Sequence, residues 1–237
     1  MDQRLISWAT AVKSRCRINR GGRAIPPVWL FTDEKRLPDP RPVVANLPKG
    51  LCGVVFRHDG DPKRLEIGRD LARLCKLRRN VMVVAGDGKL AHRLRAGMHL
   101  RGGRGNDLAL AVAGVPTTSS AHSRADAVRA RRGGAGVIFI SPLFETRSHP
   151  GATPLGVLRA LLLSSNVNAT RLTLGGIHAP NVRRIPVPQM VGFGGIGCFL
   201  DVDPGRLVMN ISQINFIDFV ADQTHHPATR SLPPSSG

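Results

Sequence analysis

The sequence predicts a single α/β domain folded as a (β/α)8 TIM barrel with a weak or missing fourth helix. Eight short apolar runs of strand length carry that expectation, together with helical patterns lying between several of them. Polar, chemistry-bearing residues follow the runs, and that is where a parallel barrel gathers its functional loops.

The runs are Val28–Phe31, Gly53–Phe56, Val81–Val84, Met98–Leu100, Val115–Ser119, Val137–Ile140, Leu172–Leu174 and Ile196–Leu200. The sixth reads VIFI without polar alternation, as a strand buried on both faces does, and leads into Ser-Pro and a polar loop. Between the runs, Pro62–Leu77 sets Leu65, Arg69, Ala72 and Cys75 at helical spacing, and Arg124–Arg132 follows a capping His122-Ser123. Pro154–Leu163 opens with Thr153-Pro154, a helix-start dipeptide. The fourth unit is the exception, because RGGRGND from Arg101 to Asp107 is too short and glycine-rich for a covering helix. Residues 1–27 read as a basic extension carrying a short amphipathic helix through Leu5, Ile6, Trp8, Ala9 and Val12. Residues 28–203 read as the barrel, and 204–237 as a last helix over Ile211–Val220 followed by a Pro- and Ser-rich disordered tail.

Composition narrows the function classes. No stretch of about 18 uncharged apolar residues is present, which excludes a spanning helix, and residues 1–27 are too basic and broken for a secretory signal, so a cytoplasmic protein is expected. Cys16, Cys52, Cys75 and Cys198 form no CxxC pair, so neither a zinc site nor a disulfide framework is indicated. The tail pair His225-His226 lacks a third metal ligand. With 34 Lys and Arg against 16 Asp and Glu, the formal charge of +18 favours anionic partners. The arginines are spread over nearly every helix, with no Tyr and two Trp to stack bases, which points away from specific nucleic-acid binding and towards phosphorylated small molecules.

Five clusters follow the runs. Arg57-His58-Asp59-Gly60-Asp61 offers a cation for an anionic substrate and carboxylates for a metal or base, and is equally consistent with a charged helix-capping turn. Gly86-Asp87-Gly88 holds a lone carboxylate. Ser119-Ser120-Ala121-His122-Ser123 offers a histidine able to exchange a proton near neutral pH, or a cap. Thr146, Arg147, Ser148 and His149 suit an anion. Leu174-Gly175-Gly176-Ile177 and the glycines from Gly192 to Gly197 would let backbone N–H groups approach a phosphate, and would also suit tight packing turns.

Several of these segments together resemble the thiamine phosphate synthase family. VWLFTDEKRL (Val28 to Leu37) resembles its first strand and Thr-Asp turn, VVFRHD (Val54 to Asp59) its Gln-x-Arg-x-Lys segment, and GMHLRG (Gly97 to Gly102) its Gly-Val-His-Leu-Gly. SSAHS (Ser119 to Ser123) resembles Ser-x-His-Thr, SPLFETRSH (Ser141 to His149) resembles Gly-Pro-Ile-Phe-x-Thr-x-Thr-Lys, and LGGI (Leu174 to Ile177) resembles the phosphate-binding Gly-Gly-Ile. The resemblance covers roughly residues 28 to 200. It implies a (β/α)8 transferase that joins hydroxymethylpyrimidine diphosphate to a thiazole phosphate, with Mg2+ and basic groups steadying the departing diphosphate. By the same resemblance Arg57 would hold the diphosphate, and Ser120 and His122 would line the reaction centre. Thr146, Ser148, His149, Gly175 and Gly176, with the backbone near Phe199 and Leu200, would bind the thiazole phosphate.

The departures are specific. Val55 and Asp59 replace the family's Gln and Lys, Ala85-Gly86 replaces Asn-Asp, Arg104 stands at the aspartate after the fourth strand, and His149 at the lysine after the sixth. The aligned magnesium carboxylates are therefore absent, leaving Asp87, one residue displaced, and Asp59 or Asp61 as candidate replacements. This pattern also resembles the TenI branch, a thiazole tautomerase that needs no metal, in which His122 would be the acid/base. A non-catalytic barrel binding thiamine-related phosphates is the third reading. No membrane partner is expected, and a homo-oligomer is allowed for.

Overall fold

Eight parallel strands close into a barrel whose order around the ring follows the chain. They are β1 (Val28–Phe31), β2 (Cys52–Phe56), β3 (Val81–Ala85), β4 (Gly97–Leu100), β5 (Thr117–Ala121), β6 (Val137–Ile140), β7 (Thr170–Leu174) and β8 (Phe193–Gly195). β8 closes the ring on β1 through the register Phe193 to Val28 and Gly194 to Trp29. The computed structural model describes residues 1–16, 19–20, 23–103, 112–146, 151 and 153–200. The expected C-terminal helix, the tail and its His225-His226 pair lie outside the described residues.

β1, β2, β3 and β6 are apolar on both faces because each face meets a core. Trp29, Phe31, Val55, Val83, Ala85, Val137, Phe139 and Leu172 form an inner cluster. Val28, Leu30, Val54, Phe56, Met82, Val84, Ile138 and Ile140 pack outwards with Ile67, Leu71, Cys75, Ala127, Ala130 and Ala160 of the helices. Two glycines make room for the inner aromatics. A Cβ on Gly53 would lie 2.3 Å from the Trp29 ring, and one on Gly194 would lie 2.6 Å from the Phe31 ring. Phe139 meets both rings edge-on, at 5.5 Å from Trp29 and 4.9 Å from Phe31.

The helices are α1 (Gln3–Arg15), α2 (Arg41–Ala45), α3 (Arg64–Leu77), α4 (Gly88–Arg93), α5 (Arg124–Arg132), α6 (Gly156–Ser164) and α7 (Gly197–Leu200). α3 turns Ile67, Gly68, Leu71 and Cys75 inwards, and α5 is capped as expected by Ser123, whose hydroxyl accepts from Asp126 N–H at 3.1 Å. The N-terminal helix is more than a solvated extension. Leu5 and Ala9 are buried in the outer core, Val12 joins the inner cluster, and the Trp8 ring lies 5.6 Å from that of Phe193. After β4 the described chain makes a single 3-10 turn, Arg101–Gly103, where a helix would cover an ordinary unit.

Besides two-residue shifts at the starts of β7 and α3, three boundaries near the mouth differ from the sequence expectation. The eighth strand is Phe193–Gly195 rather than Ile196–Leu200, which carries α7, so Gly194 and Gly195 belong to the sheet. The fifth strand is shifted two residues, placing Ser119 and Ser120 in the sheet with His122 immediately beyond it. α6 begins at Gly156 without a side-chain cap, so Thr153-Pro154 precedes the helix and does not start it. Among the described residues no helix is long and apolar enough to cross a membrane.

Candidate active site

The parallel barrel brings the C-terminal ends of all eight strands to one mouth. Arg57 is the first residue past β2 and is exposed there. Its backbone N–H donates to Thr32 Oγ1 at 2.9 Å, and the Thr32 hydroxyl lies 3.1 Å from His58 Nδ1. His58 Nε2 faces the carbonyls of Leu37 at 3.0 Å and Pro38 at 3.3 Å. A carbonyl only accepts, so Nε2 carries the proton and Nδ1 accepts from Thr32. Fully buried and stacked on Phe56 at 5.3 Å, His58 ties the loop after β1 to the loop that presents Arg57. Within the charged cluster this is the structural member, and Arg57 is free of ion pairs among the described residues.

Asp59 and Asp87, the candidate metal ligands, are engaged elsewhere. Arg64 donates Nη2 to Asp59 Oδ1 at 2.9 Å and Nη1 to Asp87 Oδ2 at 3.0 Å. Asp59 Oδ2 accepts from Arg101, and Asp87 Oδ1 caps α4 by accepting from Leu90 N–H at 2.9 Å. Every oxygen of the two carboxylates thus faces a guanidinium or a helix N–H. Magnesium requires near-octahedral oxygen ligands, and a cation on these oxygens would stand about 4 Å from a guanidinium. Repulsion there is on the order of 4 kcal/mol per unit of metal charge. The residues present therefore do not fit the ion, and no group of three His, Cys, Asp or Glu among the described residues could hold a metal.

Inside the barrel, His99 of β4 and Thr118 and Ser120 of β5 form one hydrogen-bonded chain. His99 Nδ1 lies 2.8 Å from Thr118 Oγ1, and Nε2 lies 3.4 Å from Ser120 Oγ. Burial, helped by the nearby Arg57 charge, pushes the His99 pKa down to about 3, so the ring is neutral. Just outside the mouth, His122 Nδ1 lies 3.1 Å from the Ser141 carbonyl. That carbonyl fixes the proton on Nδ1 and leaves the Nε2 lone pair of an exposed ring available. His99, within the Gly-Met-His-Leu segment, was not singled out by sequence because its partners come from another strand.

The loops after β6, β7 and β8 are neighbours in the ring. Leu143 N–H donates to Leu174 O at 2.9 Å and Phe144 N–H to Gly175 O at 3.2 Å. Gly176, at φ +68°, sits against the β6 loop so closely that a Cβ would lie 2.2 Å from Glu145 O. Packing alone therefore calls for glycine at position 176. Thr146 closes the described part of this loop, while Ser148 and His149 lie outside the described residues. Phe199 is buried in the core and Leu200 is half-buried, both on the short α7.

This arrangement defines a (β/α)8 barrel with Arg57 exposed at its C-terminal mouth. The description of the thiamine monophosphate synthase family matches residues 30–192, and the chain belongs to that family. Over 82 residues it is 38% identical to a putative thiamine-phosphate synthase 2 of Aquifex aeolicus, a stretch covering 35% of this chain and 44% of that protein. The match thus spans less than half of the relative's length. Among solved structures, a thiamine phosphate pyrophosphorylase from Pyrococcus furiosus superposes with a TM-score of 0.61 at 17% identity, covering 84% of this chain and 96% of that one. FabK of Thermotoga maritima gives 0.56 at 13% identity over 76% and 65% of the two chains. These structures share the fold.

Proposed function

We propose that this chain is a transferase of the thiamine phosphate synthase type, joining a hydroxymethylpyrimidine diphosphate to a thiazole phosphate. The observation that supports it best is the Thr118–His99–Ser120 chain inside the barrel, with the Arg57 charge near His99. In the reaction the bond between the pyrimidine methylene carbon and the diphosphate oxygen breaks, its electron pair leaving with oxygen, and the thiazole nitrogen bonds to the methylene cation. Arg57 faces the negative charge that develops on the leaving group. His99, kept neutral by burial, adds no positive charge beneath the cation and orients the Ser120 hydroxyl at the reaction centre. The thiazole phosphate is assigned to Thr146, Ser148 and His149 after strand six, with Gly175, Gly176 and the backbone of α7 around Phe199 and Leu200 after strands seven and eight, where such barrels hold phosphate.

A second reading, thiazole tautomerase, is favoured by one observation. The Ser141 carbonyl leaves His122 Nε2 as an exposed base able to move a ring proton. The deciding experiment follows thiamine phosphate from the two substrates, with magnesium and with chelator. Product supports the transferase. No product, with thiazole phosphate still bound, sinks it and leaves the tautomerase or a non-catalytic thiamine-phosphate-binding barrel.

A further inference from the structure

We infer that the mouth over β2, β3 and β4 holds a diphosphate with arginine side chains in place of a divalent cation, Arg64 and Arg101 supplying with Arg57 the positive charge. The inference rests on the reading above that a diphosphate binds here.

Arg64 comes from α3, with its side chain 19% exposed, and is clamped between Asp59 and Asp87 while Nη2 also meets Ala85 O at 3.2 Å. Its Nε is buried without a partner. Such a guanidinium is fixed in place before any ligand arrives. Arg101 follows β4 and crosses Gly86 at the end of β3. Gly86 has φ +68°, and a Cβ there would lie 2.9 Å from Arg101 Cδ and Nε. A side chain at position 86 would have to displace the Arg101 side chain, and the positive φ disfavours any residue but glycine there. Arg101 is 55% exposed and commits Nη2 to Asp59, leaving other donors of its fork towards the mouth.

Three arginines against Asp59 and Asp87 leave one net positive charge, 3 − 2, with Arg57 outside any ion pair among the described residues. A planar guanidinium pairs with phosphate oxygens by two parallel bonds, and a chelator cannot remove it. Magnesium would have to break the Asp59 and Asp87 pairs and then sit beside Arg64. The ion-pair lattice thus does two things together, removing the oxygens a metal needs and setting fixed cations in their place.

The test is calorimetric titration of inorganic diphosphate into the full chain, once with EDTA and once with excess magnesium, beside the coupling assay under both conditions. Dissociation constants within about threefold of each other support the inference. Binding seen with magnesium alone, or under neither condition, overturns it. Arg101→Gln, at an exposed position, is expected to weaken diphosphate binding in EDTA by about tenfold or more while the thermal melt reports whether the fold is kept. An unchanged affinity also overturns the inference. Arg64→Lys keeps the charge but loses the fork and should fall between Arg101→Gln and the parent chain. Failures of the two proposals separate cleanly. Metal-free diphosphate binding without coupled product leaves the arginine site and removes the transferase, whereas product formed with magnesium alone does the reverse.

Discussion

Nε2 of His99 lies 3.4 Å from Ser120 Oγ, on the inner face of the barrel, while Nδ1 lies 2.8 Å from Thr118 Oγ1. Because burial pushes the ring down to about 3 from an ordinary 6.5, the unfolded chain binds a proton that the folded chain refuses over the interval between them. This contribution to stability is fully present above pH 6.5 and is lost as the pH falls towards 3. Between pH 7.5 and pH 5 the loss is on the order of 2 kcal/mol. Urea unfolding at the two pH values measures it, and His99→Gln, which cannot titrate, should lose about that much less on acidification. An identical pH dependence in the variant would show that His99 is not the group responsible.

His122 is held by the Ser141 carbonyl with Nε2 open. If it moves ring protons, His122→Ala should slow deuterium exchange or tautomer conversion of a thiazole phosphate by about 10²-fold or more, the usual worth of a positioned acid/base. Coupling of the two substrates, limited by diphosphate departure, should fall less than about tenfold. Proton NMR of the thiazole ring reports the first and thiamine phosphate formation the second. Equal losses in both would place His122 in the coupling chemistry instead.

The strands that could be read from sequence were those whose residues are apolar throughout. VWLF, VVF, VMVV and VIFI sit in the sheet within a residue of where they were expected, because burial on both faces leaves no other signature. β5 and β8 were misplaced for an opposite reason. TTSSA is rich in hydroxyls that bond within the barrel, and FGG has Gly194 where the Phe31 ring takes up the space, so neither looks like a core strand in isolation. At the candidate site, Arg57 and His122 are legible as polar residues just past strands, whereas Ser120 lies within β5. Asp59 and Asp87 were read as free carboxylates because the arginine that joins them comes from α3, and nothing in the local sequence pairs Arg64 with Asp87 across 23 positions.

Gly53→Ala tests how rigid the inner layer is. The added methyl would meet Trp29 at 2.3 Å, on the fixed part of an indole that is fully buried and anchored by its own N–H to Pro26 O at 2.7 Å. The ring cannot swing aside without breaking that bond. Overpacking of this kind costs roughly 1–3 kcal/mol, or about 2–4 °C of melting temperature per kcal/mol in a domain of this size. Thermal unfolding followed by tryptophan fluorescence checks it, and an unshifted melt would mean that β2 gives way instead of the ring.

Gly176→Ala probes whether the glycine after β7 serves packing, phosphate or both. The position combines φ +68° with a backbone contact, so the substitution meets two separate penalties, a left-handed residue and a methyl 2.2 Å from Glu145 O. Together they should destabilise the chain by roughly 2–4 kcal/mol. The loop after β6 must move to admit the methyl, and with it the Phe144 N–H that now donates to Gly175 O at 3.2 Å. Thr146 lies two residues beyond that bond, so a site that uses it should lose affinity for thiazole phosphate as the melting temperature falls. Titration of thiazole phosphate and a thermal melt on the same variant distinguish the roles. A large loss of stability with unchanged affinity would assign Gly176 to packing alone, and would move the phosphate away from the β6 and β7 loops towards α7.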